Sequence, residues 1–187
     1  MARRGEVIES PVSGERITFL QTAGDTGGAL LQFADCIAPH SWCVARMQHR
    51  HLRQEERIAV LAGTLCFRIR RQVVRLGAGE TLVLAPGTPH MFWNDGDAEA
   101  HVVAELRPAL RTETALETIC GLCRDGKTNR LGVPTPLQAA VIAHEFADET
   151  ALPHVPLRVQ RALWAPLALL GRRRGYRGWY PEYGRQE

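Results

Sequence analysis

Apolar and polar residues alternate in short runs from about residue 16 to residue 108, the pattern of half-buried β-strands rather than of helices. The alternation predicts strands over 17–21, 30–36, 41–48, 57–61, 64–70, 72–76, 81–85, 90–93 and 101–106. Turn formers separate them: Gly24, Gly27 and Gly28, then Gly63, then Gly77-Ala78-Gly79, Pro86-Gly87 and Asn94-Asp95-Gly96-Asp97. Many short strands with hairpin-type turns at Gly63 and Asp95-Gly96 predict an all-β core, an antiparallel barrel or sandwich. Residues 1–15 are polar and read as a loose N-terminal arm.

Past Pro108 the period becomes helical. Thr114 and Glu117 have capping-box spacing, Leu116, Ile119, Cys120 and Cys123 recur on one face, and Gly126 suits a C-cap. A second helix is predicted from Pro136, with Thr135 as N-cap and Leu137, Ala140, Val141 and His144 on one side. A third covers 157–170, broken or kinked at Pro166 and ending at Gly171, with Arg172, Arg173 and Arg174 after it. The organisation expected is an arm (1–15), a β-barrel (16–110) and a C-terminal α-helical extension (111–187) that packs on the barrel or on a second subunit.

Composition narrows the class. With 187 residues the chain has room for one domain and an appendage, and 45% hydrophobic with 23% charged residues excludes a disordered or fibrous chain. A net charge of +3 does not point to nucleic acid, and no DNA-binding helix-turn-helix accompanies the barrel. The charge is uneven: residues 158–187 hold seven arginines against Glu182 and Glu187. That basic, aromatic-flanked tail reads as a packing or dimerisation element rather than a membrane-surface helix. Five cysteines without regular spacing do not make a disulfide scaffold. The lack of an apolar segment after Arg4, and of any run long enough to span a bilayer, leads to the expectation of a cytoplasmic protein without a membrane span. The expected partners are a small-molecule substrate and a second copy in a homodimer.

The residues with chemistry lie in His49-Arg50-His51-Leu52-Arg53-Gln54-Glu55-Glu56. On a strand His49 and His51 share a face. Two imidazoles, a carboxylate just beyond, and His90, held by a Gly/Pro turn at 86–89, can surround one divalent metal: Fe, Mn, Ni, Cu, Co or Zn.

The spacing resembles the cupin family. Its first motif runs glycine, five residues, His-X-His, three or four residues, Glu, six residues, Gly; this chain has His49, His51, Glu56 and Gly63, with Cys43 where the leading glycine stands. The second motif is matched by Gly79, Pro86-Gly87, His90 and Asn94, with Ala85 in place of the first proline. The resemblance covers about residues 30–107. It implies a double-stranded β-helix (jelly-roll) barrel with one divalent metal held by His49, His51, Glu56 and His90. Glu55 competes with Glu56, and the six-residue gap to Gly63 selects Glu56. On that register Cys43, Ala45 and Met47, together with Ile58, Val60 and Phe92, line the cavity, making an apolar substrate pocket of Cys43, Met47, Ile58, Val60 and Phe92.

The activity the resemblance suggests first, by likeness to quercetinase-like cupins, is a dioxygenase-type oxidoreductase in which Glu56 detaches to take a proton. Alternatives are a non-oxidative isomerase, decarboxylase or cyclase, and a binding module without turnover. Fold alone does not choose among them.

Other candidates read as structural. Cys120-X-X-Cys123 falls on an apolar helix face, where buried thiols are common. Glu105 points outward if Val102, Ala104 and Leu106 point in. His40, His101, His144 and His154 lack metal-ligand spacing.

Overall fold

The computed structural model describes residues 2–42 and 47–184. Eleven strands and three helices follow in order: β1 (Val7–Ser10), β2 (Glu15–Gln21), β3 (Leu31–Ile37), β4 (Arg50–His51), β5 (Glu55–Ala62), β6 (Thr64–Ile69), β7 (Gln72–Gly77), β8 (Thr81–Leu84), β9 (His90–Trp93), β10 (Ala100–Arg107), α1 (Thr112–Arg124), α2 (Pro136–Glu145), β11 (Thr150–Ala151) and α3 (Leu157–Arg173). One sheet has the order β1-β2-β3-β10-β5-β8, a second β7-β6-β9, and β4 pairs with β11. The all-β core is a cupin-type jelly roll, and the helices follow it.

Strand alternation builds the interior. β10 turns Ala100, Val102, Ala104 and Leu106 inward. Glu105 faces the other way, accepting a 2.9 Å hydrogen bond from Gln32 of β3, its cross-strand partner, and pairing with Arg107. Phe19, Leu31, Ile58, Leu65 and Phe67 complete the core between the sheets. Gly63 joins β5 to β6 with φ +74°, and a Cβ there would stand 2.6 Å from the Glu99 carbonyl, so this hairpin accepts only glycine.

Several boundaries differ from the sequence reading. The N-terminal segment is not a loose arm: β1 pairs with β2 and buries Ile8 opposite Ile17. Two adjacent apolar residues, Val7 and Ile8, between Glu6 and Glu9 make no alternation that would show it. Of the strand expected over 41–48, residues 43–46 lie outside the described ones; Trp42 before them bridges Trp93, and His49 after them bridges His90. The first helix begins at Thr112, not at a Thr114–Glu117 capping box. Its start is tied to the barrel by the buried Gln54, whose Nε2 donates to Pro108 O, Ala109 O and Thr112 Oγ1 (3.0, 2.9 and 2.8 Å).

α3 runs unbroken past Pro166 and Gly171 to Arg173. Pro166 sits on the exposed face, where water can satisfy the carbonyl its ring leaves without a donor. Gly171 is not a cap but a contact: a Cβ would stand 2.6 Å from Val141 Cγ2, so the two helices meet backbone to side chain. Cys120 and Cys123 are buried, as their apolar spacing predicts.

Candidate metal centre

His49, His51 and His90 reach one place from two segments, 49–51 and the start of β9. The His49 and His90 peptides exchange hydrogen bonds of 2.9 and 2.8 Å, which sets the two side chains beside each other. His51 is held from both sides. Its carbonyl accepts from Gly87 N (2.7 Å), in the Pro86-Gly87 turn, and its strand pairs with Thr150 of β11. The three imidazoles each offer a nitrogen, and those atoms lie within 4.8 Å of one another. Glu56 enters beside them from β5, with Oε2 at 2.8 Å from His90 Nε2 and 3.7 Å from His51 Nε2.

Hydrogen bonding orients two of the rings. His49 Nδ1 and His90 Nδ1 each face a carbonyl at 3.0 Å, of Met47 and Thr88. An N–H donated there leaves the Nε2 lone pair as the ligand atom. Burial, reinforced by the positive fields of His90 and His51, holds the His49 imidazole down at about 3. Burial also lowers His51, against the pull of Glu56. Burial would raise Glu56, but the charge and hydrogen bonding of His90, then His51 and His49, hold it at about 2. His90 is raised, because Glu56 outweighs its burial.

The donor set fits a divalent cation. Glu56 Oε2, His90 Nε2 and His51 Nδ1 are buried without an aligned hydrogen-bond partner. The lowered His49 and His51 and the ionised Glu56 are in the protonation states a metal requires, and His90, which Glu56 biases toward its charged form, would release its proton on binding one.

The centre opens into a cavity of about 400 Å³. Of the expected pocket residues, Met47 and Phe92 line it, together with His49, His51 and Glu56. Ile58 and Val60 do not. They point inward as the register demands, but the space beside them is filled by core side chains. Cys43 and Ala45 lie outside the described residues. Ile17, Phe33 and Leu106 of the barrel line it as well, and much of the remaining wall comes from the extension: Leu116 of α1, Ile142 of α2, and Leu157 and Trp164 of α3.

Three groupings escaped the sequence reading. Arg111 donates from its backbone N and Nε to Glu149 (2.9 and 2.6 Å) and from Nη1 to Glu145 (3.0 Å), while Leu52 N donates to the Glu149 carbonyl (2.7 Å). This network ties the segment after His51 to the helices. Glu15 and Asp35 line the cavity from β2 and β3. On the outer face Cys36 Sγ lies 3.3 Å from His101 Nδ1, and His101 Nε2 lies 2.8 Å from Glu99. Cys36 and His101 are cross-strand partners, a relation that linear spacing does not contain.

Comparison with known proteins agrees with the geometry. Residues 37–104 match the family model of the cupin domain. The barrel of this chain is a cupin domain. No curated protein matches the chain. Among solved structures, a predicted oxalate decarboxylase of Thermotoga maritima is 18% identical with a TM-score of 0.50, over 58% of this chain and 98% of that one. An RmlC-like cupin of Shewanella frigidimarina is 15% identical with a TM-score of 0.49, over 59% and 89%. A sugar phosphate isomerase of the cupin superfamily from Silicibacter pomeroyi is 21% identical with a TM-score of 0.46, over 55% and 70%. At these identities the likeness is one of fold.

Proposed function

We propose that the protein is a mononuclear-metal cupin enzyme acting on a small organic molecule inside the roofed cavity. The observation that carries this reading is the convergence of three imidazoles and Glu56 at one end of a largely apolar space. His49, His51, His90 and Glu56 would hold the metal. When bound, the metal supplies Lewis-acid polarisation of a substrate oxygen, and a redox-active ion also supplies electron transfer with O2. Glu56, ionised and 2.8 Å from His90, is placed to take a proton from the substrate. The apolar walls of Leu116, Ile142 and Trp164 exclude water from the charged species this produces.

Oxidation of an enolisable or catechol-like compound by O2 is the first reading of the reaction. Non-oxidative proton transfer, as in an isomerase, decarboxylase or cyclase, is the second. It is favoured by the two buried carboxyl groups, Glu15 and Asp35, in the same cavity, which oxidation does not require. Elemental analysis of untagged, chelator-free protein tests both. A near-stoichiometric Fe, Mn, Ni or Cu with O2 uptake on flavonols, catechols or diketones supports the first. Stoichiometric Zn with turnover in the absence of O2 supports the second. Failure to take up metal on reconstitution would leave only a binding module.

We further propose a homodimer formed through α3, whose Val159, Leu163, Leu167 and Leu170 are 46%, 56%, 39% and 41% exposed. Light scattering of the full chain and of a Leu163→Glu, Leu167→Glu variant tests it, with a monomeric wild type as the refuting result. Among the described residues no helix is long and apolar enough to cross a membrane, and Cys36, Cys66, Cys120 and Cys123 are free. Free thiols fit the reducing cytoplasm as the location.

A further inference from the structure

β2 and β3 turn alternate residues into the barrel, and almost all of them are apolar: Ile17 and Phe19 from one, Leu31, Phe33 and Ile37 from the other. Two positions break that row. Glu15 is 3% exposed and Asp35 2%. Asp35 pairs across the ladder with Ile17, which makes Glu15, two residues earlier, its diagonal neighbour on the same face. Both line the cavity that holds His49, His51 and Glu56.

Among the described residues, the groups whose charge acts on Asp35 are Glu15 on the same face, Cys36 from the opposite face of β3 and Cys120 from α1, and none of these is a cation. Arg16, between the strands' inward positions, turns outward to Cys36 Sγ at 3.9 Å. Burial first, then the charge and hydrogen bonding of Glu15, push the Asp35 carboxyl well above the usual carboxylate range. Two neighbouring carboxyl groups withdrawn from water favour holding one proton between them. Asp35 Oδ1 is buried and has no hydrogen-bond partner. A neutral acid that gives its proton to Glu15 leaves its second oxygen as an acceptor, and a buried acceptor calls for a donor.

We infer that Glu15 and Asp35 form a second polar anchor in the cavity, which receives a hydroxyl group of a small oxygenated substrate whose other end faces His49, His51 and His90. A hydroxyl donates to Asp35 Oδ1 without bringing charge into an apolar site. An ammonium would be matched only by a fully ionised pair. The inference rests on the reading of the histidine end as the metal end, and it narrows the substrate class to hydroxylated carboxylates or carbonyl compounds.

The test is calorimetric binding to the purified, metal-containing protein of butanoate, pentanoate and hexanoate, each against its ω-hydroxy and ω-amino counterpart. The carboxylate occupies the metal end, and chain length varies the reach of the hydroxyl. We expect at least one ω-hydroxy acid to bind about tenfold more tightly than its parent. Asp35→Leu removes that preference, so that the ω-hydroxy acid binds no more tightly than its parent. Asp35→Asn, which keeps an Oδ1 acceptor and donates Nδ2–H to Glu15, retains it. Should Asp35→Leu fail to fold, carboxyl-carbon NMR of the wild type reads the same contact, since the hydroxy acid shifts the Asp35 signal and the parent does not.

Parent acids that bind with no hydroxyl preference would overturn the acid-pair inference alone. A stronger preference for the amino acids would overturn the hydroxyl assignment. A hydroxyl preference that persists in metal-stripped protein, with undiminished affinity, would uphold the pair and remove the metal reading. Binding of none of the acids would overturn both.

Discussion

The barrel and the helical extension contribute unlike things to one cavity. The barrel supplies the polar cluster of the candidate site: His49, His51, Glu56 and His90, held by strand pairing and the Pro86-Gly87 turn. The extension supplies enclosure, through Leu116, Ile142, Leu157 and Trp164. It also braces the metal end, since β11 pairs with the strand of His51 and Glu149 joins Leu52 to Arg111. An open barrel would leave Glu56 and the imidazoles to water, and a roof without ligands would be an apolar pocket only. The site is composite, and variants in the two regions should fail differently.

The largest expected effect falls on the barrel. His51→Ala or His90→Ala lowers metal content by roughly tenfold or more, with far-UV circular dichroism unchanged. Full occupancy in both variants would break the ligand assignment. Ending the chain at residue 156 removes α3 and opens the roof. Metal content should stay near wild type, while dye binding to exposed apolar surface rises and the melting temperature falls. Loss of metal with the roof would show that the two regions are not separable.

Gly171→Val places side-chain atoms where a Cβ is already 2.6 Å from Val141, and should destabilise by about 1–3 kcal/mol in chemical denaturation. An unchanged midpoint would mean that α2 and α3 do not pack this way. Arg111→Ala leaves the carboxylate of Glu149, a 5% exposed residue, without its main partner. Because the guanidinium is itself half exposed, the cost should be about 1–2 kcal/mol, with metal affinity reduced only a few-fold.

The smallest effect is one of pH, and its sign differs between the regions. Glu117 of α1 is raised to about 7, by burial first and then by Glu6 and Glu113. The folded state then holds a proton that the unfolded chain releases above its ordinary value of 4.5. This contribution to stability is full below pH 4.5 and is lost as pH rises through about 7. Glu56, depressed to about 2, behaves oppositely in metal-free protein: its contribution is present above pH 4.5 and lost as pH falls through about 2. Glu117→Gln should flatten the decline in stability between pH 5 and 8 by about 1–2 kcal/mol. A decline of unchanged slope would mean that Glu117 is not its source.

Much of the barrel, and the residues that converge at its histidine end, were legible before any coordinates. Strand alternation marked β10 and the outward turn of Glu105, and linear spacing carried His49, His51, Glu56 and His90. The pocket wall was less legible. Parity correctly turned Ile58 and Val60 inward, yet parity cannot say whether the space they enter is empty or filled. In the extension, the helices were visible by period, but not their ends: Gly171 looks like a cap in one dimension and is a helix contact in three.

The sequence by itself determined the strand periodicity, the turn glycines and the order and spacing of the metal-end residues. These depend on neighbours within a few positions, where backbone geometry fixes direction. Only the tertiary structure decided that β11 backs His51, that the helices roof the cavity, and that Glu15 and Asp35 meet within it. Those relations join segments that are distant along the chain. They are set by cross-strand register, which makes Glu15 and Asp35 diagonal neighbours, and by burial, which withdraws both carboxyl groups from water.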